Sequence, residues 1–323
     1  MQSNTKAAAL LKRAKHSSML GTVVALLIVV VVMSIASDTF FTSSNLVNLI
    51  RQGSVLAVVA IGQTYVIISG GIDLSVAPLI SLSTVITASL VTNNGIPWGA
   101  AAVAAILACT LCGILNGSII TYIKIPPIIA TLATTMAYQG ICLLYTNGYG
   151  INLPTGNQLT ALLGRGRLLG IPVAGLVMVA MYIIFFIVLK YTKTGRVTYG
   201  LGGNAEAVRL SGVSTARYNV QVYAISGLLA GVAGVMLTAR LNSGHSYNGD
   251  GFDMDSIAAA VLGGVSVSGG TGSLWGTLLG VFILTMITNG LNMINLNTYI
   301  QMIIKGLIIV AAIGFGSIRT HKK

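Results

Sequence analysis

Charge is scarce in this chain. Only 7% of its 323 residues are Asp, Glu, Lys or Arg, where a soluble domain carries roughly 25%. Just six are acids, while 54% are hydrophobic and the mean hydropathy is +0.87. A water-facing surface cannot be built from so few charges, so the composition excludes a soluble enzyme and specifies an all-α polytopic membrane protein. The sequence also lacks a G-x-x-x-x-G-K-[ST] loop, so the chain has no phosphate cradle of its own. Its three histidines, His16, His245 and His321, stand far apart and form no metal set. His245 falls in the Asn242–Asp253 loop, where it reads as part of a solvated turn, with a partner contact as the alternative. The three cysteines, Cys109, Cys112 and Cys142, lie in apolar runs. Cys109-x-x-Cys112 has the spacing of a redox or zinc pair, yet no second pair or nearby His completes a site, so all three read as small core residues. No apolar run holds two acids or a nucleophile beside a base, which argues against an intramembrane hydrolase. We expect no catalytic, metal or cofactor-binding residue. The net charge of +12 does not imply nucleic acid, because basic flanks of membrane spans give the same total.

The chain does have long apolar runs. A helix crosses the roughly 30 Å hydrocarbon layer in about 20 residues. On that measure spans fall at about 19–37, 50–69, 75–92, 98–121, 127–146, 172–190, 219–239, 255–267, 274–291 and 298–316, about ten crossings. Residues 1–18 form a basic tail, 19–316 one transmembrane domain, and 317–323 a second tail. Ser34-Ile35-Ala36 resembles a signal-peptide cleavage site, but the run before it suits an uncleaved first span better. With the N-terminus in the cytoplasm, the inside segments hold Lys6, Lys12, Arg13, Lys15, Lys124, Lys190, Lys193, Arg196, Arg209, Arg217, Arg319, Lys322 and Lys323. The outside receives Arg51, Arg165, Arg167 and Arg240. The positive-inside bias therefore puts both termini in the cytoplasm. The longest outside loop is then 147–171, with turns at Asn147-Gly148, Pro154 and Gly156.

One polar island interrupts the apolar pattern. Residues 191–218, TKTGRVTYGLGGNAEAVRLSGVS at their centre, gather with the edge residue Lys190 five basic residues, and hold Glu206. Asn204 suits an N-cap, Ala205–Leu210 has helical propensity and Gly212 suits a stop. The island reads as a short helix on the cytoplasmic membrane surface, offered to a partner. Glu206 and Arg209 are candidates for charged contacts, or pair with each other at i,i+3.

Three further stretches break the helical pattern. Gly70-Gly71-Ile72-Asp73-Leu74-Ser75 divides the second and third spans, and Asp73 is placed to cap the helix that follows. A substrate or proton role for Asp73 is the alternative. Pro126-Pro127 opens the fifth span. Gly263-Gly264 and Gly269-Gly270 interrupt the chain again, about five crossings after the first break. A shift of an odd number of crossings inverts topology, so spans 2–5 and 7–10 are candidates for inverted repeats, a recurrent plan in transporters. Gly70, Gly71, Asp73, Ser75, Gly263, Gly264, Gly269 and Gly270 are thus the helix-break and gating candidates.

Motifs here go beyond composition. GGIDLSV at Gly70–Val76, TGRVTYGLGGNAEAVRLSGV at Thr194–Val213 and DSIAAAVLGGVSVSGGTGSLWGTLLG at Asp255–Gly280 resemble the permease subunits of bacterial monosaccharide ABC importers, of the ribose permease type. PPIIATLAT at Pro126–Thr134 and YTNG at Tyr145–Gly148 also match, and the resemblance runs through essentially the whole chain. Two departures are Ala77 before Pro78, where that family often has Gly, and Asp253, where it often has Glu. The resemblance implies a subunit in the inner membrane that pairs with a second permease copy or a sister permease. It implies a separate cytoplasmic ATPase that uses ATP and magnesium, and an extracytoplasmic sugar-binding protein. The island then matches the family's ATPase-coupling segment, with Thr194, Gly195, Arg196, Gly202, Gly203, Asn204, Glu206, Arg209 and Gly212 as contact candidates.

The rival reading is an ion-coupled secondary transporter of a small polar solute. Such a protein needs ionisable groups deep in the membrane, and Arg51, Asp73 and Lys305 are the few available. Lys305 suits snorkelling or a bond to a carbonyl. Gln63, Thr64, Asn116, Thr131, Gln139 and Asn289 are polar residues within spans. They either line a pathway or hydrogen-bond helices together. The similarity favours ribose, with other pentoses and hexoses open.

Overall fold

The computed structural model describes residues 18–154 and 158–320. The tails with His16 and His321, and the turn at Gly156, lie outside the described residues. The expected apolar runs are helical. They are α1 (Ser18–Ala36), α2 (Ser43–Ile68), α3 (Val76–Thr92), α4 (Trp98–Ser118) with a π-turn continuing to Ile123, and α5 (Pro127–Thr146). After a short α6 (Gln158–Arg165) come α7 (Val173–Tyr191), α8 (Lys193–Leu210), α9 (Thr215–Leu241), α10 (Phe252–Leu262), α11 (Leu274–Met293) and α12 (Thr298–Thr320). Non-helical pairing is minimal among the described residues. Two-residue strands β1 (Ile151–Asn152) and β4 (Ser243–Gly244) pair antiparallel, and β2 (Arg167–Leu168) pairs with β3 (Ile171–Pro172).

The helix ends follow local chemistry. Thr42, Ser214 and Ser273 accept a bond from the backbone N–H three residues on, at the starts of α2, α9 and α11. Pro97, Pro126 and Pro172 stand just before α4, α5 and α7, where their fixed φ and missing N–H do no harm. Asn147 and Asn242 close α5 and α9 in the left-handed region.

Six helices among the described residues are long and apolar enough to cross a membrane: α2, α4 with its π-turn, α5, α7, α9 and α11. Apolar stretches of α1, α3 and α12 are shorter. The eighth expected span differs. It is the 11-residue α10, about 16 Å long at 1.5 Å per residue. Glycines from Gly263 onward stop it, so the helix is too short to cross the layer by itself. The 147–171 loop also holds more structure than its turn residues suggest, namely α6 and the β2–β3 pair.

The core lies around α9, which is buried along most of its length against α2, α3 and α4. In lipid no hydrophobic drive brings helices together, so close backbone packing and polar contacts do it. A Cβ on Gly227 would stand 2.3 Å from the Cys109 carbonyl oxygen and 3.0 Å from Gly113 Cα. Asn45 and Asn289 join α2 to α11 through two reciprocal amide bonds of 3.0 and 2.9 Å. Thr64 meets Thr277 at 2.8 Å. Cys109 and Cys142 are buried free thiols.

Gly227→Val drives α9 off α4. We expect it to destabilise the protein by at least the 1–3 kcal/mol usual for overpacking, about the whole of a packing contact. Gly140→Ala, at a site with no neighbour within 4 Å, leaves stability unchanged. Melting temperatures of the two purified variants in one detergent check this.

Candidate functional site

The polar island is two helices in series. Within α8, Asn204 is extended at φ −161°, ψ 93°, and its side-chain Oδ1 accepts the Ala207 N–H at 3.0 Å. Asn204 therefore ends one helix and N-caps the next. Gly212, at φ +79°, follows the second as its left-handed stop. This matches the start and stop read from the sequence.

The two halves have opposite surroundings. Residues from Gly203 to Gly212 are exposed, apart from a half-buried Val208. On that face Arg209 clasps Glu206 with Nε to Oε2 at 2.9 Å and Nη2 to Oε1 at 2.6 Å, which holds the Glu206 carboxyl below its usual range. The i,i+3 pair is thus formed within the helix. Arg196 is exposed as well, and Thr194 is half-buried.

The first half of α8 is wedged into the bundle. A Cβ on Gly195 would meet the Leu189 carbonyl oxygen at 1.8 Å, so this residue turns tightly against the end of α7. Gly202 fits a narrower gap. Its Cβ would lie 1.9 Å from the Ile68 carbonyl oxygen and 2.4 Å from the Gly270 nitrogen. Gly270 N–H itself donates to the Ile68 carbonyl at 2.8 Å. Gly70, with φ +89°, and Gly269, with φ +82°, lie against the same residue. Tyr199, on this half of α8, adds an O–H bond to the Gly272 carbonyl at 2.9 Å. The island therefore touches both interrupted segments, 68–71 and 269–272, backbone to backbone. The sequence marked all three stretches separately but carried no signal that they meet.

The other gating candidates support this joint. Gly71 is buried under the Tyr223 hydroxyl, 2.4 Å from where a Cβ would stand. Gly263 packs on Gly276, with a Cβ position 2.3 Å from its carbonyl carbon. Gly264 takes φ +87° at the end of α10.

Asp73 sits beside the joint and is fully buried. Its Oδ1 accepts the Ser75 N–H at 2.9 Å and the Ser75 hydroxyl at 2.6 Å. Its Oδ2 accepts the Ser226 hydroxyl at 2.7 Å. Asn116 donates to the Ser75 oxygen at 2.7 Å, and Tyr138 donates to the Asn116 carbonyl oxygen at 3.0 Å. The residue in the N-cap position of α3 is Ser75, which makes no side-chain cap bond of its own. Asp73 instead organises the turn before α3 and ties it to α9, and through Ser75 to α4 and α5. Ser226, Tyr138 and Tyr223 gave no sequence signal, because a lone hydroxyl on an apolar helix reads the same whether or not it has a partner.

Five of the six polar span residues bond across or along helices. Thr64, Asn116 and Asn289 are described above. Thr131 bonds the Pro127 carbonyl at 2.9 Å, and Gln139 bonds the Ser246 carbonyl at 3.0 Å. Gln63 is buried and has no partner for either amide atom among the described residues. Lys305 pairs with Asp255 at 2.9 Å rather than with a carbonyl, and the Arg51 Nη2 donates to the Arg165 carbonyl.

Comparison with known proteins fits this architecture. Residues 45–313 match the family described as branched-chain amino acid transport system / permease component. The chain belongs to this permease family. It is 40% identical over 294 residues to the ribose import permease protein RbsC of Bacillus subtilis (strain 168), covering 91% of each chain. It is 33% identical over 283 residues to the D-allose transport system permease protein AlsC of Escherichia coli (strain K12), covering 87% of this chain and 85% of that one. It is also 33% identical over 322 residues to the galactose/methyl galactoside import permease protein MglC of Salmonella typhimurium, covering 94% and 95%. No solved structure matches. With six long apolar helices, the permease is a multi-pass membrane protein.

Removing the Asp73 acceptor leaves three donors unpaired where water does not reach. Asp73→Ala is expected to destabilise by about 2–4 kcal/mol, since bonds to a carboxylate are worth roughly 1.5–3 kcal/mol and an orphaned donor adds to the loss. Asp73→Asn, which keeps one acceptor, loses about half as much. Thermal unfolding of the purified permease variants measures both.

Proposed function

We propose that this permease is the transmembrane subunit of an ATP-driven importer and carries a monosaccharide, ribose first among the options. The family is described by amino-acid transport, but the relatives at 40% identity are named for ribose, and others at 33% for allose and galactose. A 40% identity across nine-tenths of both chains favours the sugar.

The observation that carries the mechanism is the two-part island. Its exposed, capped helix is suited to sit in a groove of a cytoplasmic ATPase. Its other half is locked into both helix breaks. Closure of two ATPase subunits on ATP and magnesium moves two such handles together, one from each permease copy. Because the joint is backbone on backbone, the motion passes directly to 68–71 and 269–272 and repacks α2, α3, α10 and α11. An extracytoplasmic binding protein delivers the sugar to the far side. In this reading the chain crosses the inner membrane about ten times, the eighth crossing made by α10 together with the glycine-rich segment 263–273 that follows it, with both termini in the cytoplasm, and the two helix breaks belong to inverted repeats. The positive-inside bias supports that orientation.

Uptake of labelled ribose, allose and galactose by cells with and without the gene tests the class. Loss of one sugar on deletion, sensitive to ATP depletion and spared by an uncoupler at constant ATP, is the expected result. Uptake that collapses with the uncoupler while ATP is held supports an ion-coupled carrier instead. Gly202→Ala, which splits the joint, is expected to lower ATP-driven uptake at least tenfold at equal membrane abundance. Gly203→Ala, with no neighbour within 4 Å, leaves uptake intact.

A further inference from the structure

A second polar cluster lies at the opposite end of the bundle from the glycine joint. α9 begins at Thr215, just past the island, and runs 27 residues, about 40 Å, to end one residue after Arg240. α2 runs the other way, with Gln52 about a third of the way along it and Ile68 at the joint. Between these ends is a cavity of about 150 Å³ lined by Gln52, Arg240, Phe252, Asp255, Thr288 and Lys305, among others. Five helices contribute to it: α2, α9, α10, α11 and α12.

Its chemistry is unlike that of the surrounding bundle. Among the described residues only two ion pairs occur, and one of them, Lys305–Asp255, is here, with each side chain 25% exposed. Charges at membrane depth are expensive and are kept where they act. The Arg240 guanidinium and the Gln52 amide are half-buried and have no hydrogen bond or ion pair among the described residues. Thr288 donates to its own helix at the Leu284 carbonyl, 3.0 Å, leaving its oxygen lone pairs for a guest. Phe252 adds one flat apolar wall.

We infer that this cavity is a solute subsite of the permease itself, built for a neutral polyhydroxylated ring the size of a monosaccharide. Donors stand free on Arg240 and Gln52, an acceptor is present on Asp255, and Phe252 can cover the C–H face of a ring. The volume is below the roughly 300–1,000 Å³ of drug-sized pockets and suits a small solute. The Asp255 carboxylate lines the same wall and already neutralises Lys305, while Arg240 has Arg51 nearby and no acidic partner, so phosphate is the competing guest that the experiment must separate from a sugar. The inference rests on the importer reading and adds to it that selection does not end with the binding protein.

The test uses the complete transporter, permease with ATPase and binding protein, in proteoliposomes. Thr288→Cys introduces a thiol into the cavity wall, and its alkylation rate is measured against the unsubstituted protein as background. The transported sugar among ribose, allose and galactose is expected to slow alkylation at least threefold, while mannitol does not. Arg240→Gln and Gln52→Leu, each added to Thr288→Cys, are expected to raise the half-protecting sugar concentration at least tenfold. A purely structural role would change the sugar-free rate and leave that concentration alone, which would overturn the inference. So would unchanged alkylation in a complex that transports the sugar, or protection by phosphate and by no sugar. If the unsubstituted complex moves no pentose or hexose of a wider panel, the importer reading fails and the subsite fails with it. Should Thr288→Cys not assemble, Thr285→Cys on the same wall takes its place.

Discussion

The arrangement depends on how closely bare backbone can approach bare backbone at Gly202. In a membrane interior, helices gain nothing from hiding apolar surface from lipid, so the short-range forces of packing and hydrogen bonding decide which contacts form. At this position the Ile68 carbonyl, the Gly270 N–H and the Gly202 Cα occupy a space with no room for even a methyl group. Packed interiors switch between discrete arrangements rather than deform continuously. A joint of this kind passes on displacement, whereas a contact between long side chains would absorb it through rotamer changes.

The polar network around Asp73 has a complementary part. It fixes the turn before α3 to α9 through Ser226, and to α4 and α5 through Ser75, Asn116 and Tyr138. Breaking it leaves a buried carboxyl unpaired, so the turn is held to α9. The glycines give closeness and the carboxyl gives attachment. Gly71 belongs to both, since its missing side chain makes room for the Tyr223 hydroxyl next to the carboxyl.

The sequence made the class legible because the signals for class are local. Charge scarcity and run length indicated a membrane bundle, and most helices fall within a few residues of the apolar runs, while α2 begins at Ser43, well ahead of the run read from 50. Asn204 and Gly212 marked the exposed helix correctly because caps are decided by a few neighbouring residues. Two things were not legible. The length of α10 was overread, since Gly263–Val267 is apolar enough to extend a span on hydropathy, while the paired glycines end the helix at Leu262. The meeting of Gly70, Gly202 and Gly269 was not legible either. Contacts between residues more than 60 apart leave no trace in periodicity, and a glycine reads the same in a turn, a joint or an idle helix face.

The same limit explains the polar span residues. By composition Gln63, Asn116, Thr131 and Asn289 are equivalent, each one amide or hydroxyl in an apolar run. The fold separates them. Asn289 is used up by its reciprocal bonds to Asn45, and Asn116 by Ser75 and Tyr138, so neither can bind a solute without breaking helix contacts. Arg240 counted in the sequence only as an outside basic residue and Gln52 gave no signal, yet both keep donors free in a cavity. A solute moving past needs groups that are polar and unspent. Polarity can be read from the chain, but whether a group is already spent follows only from which helices the fold brings together.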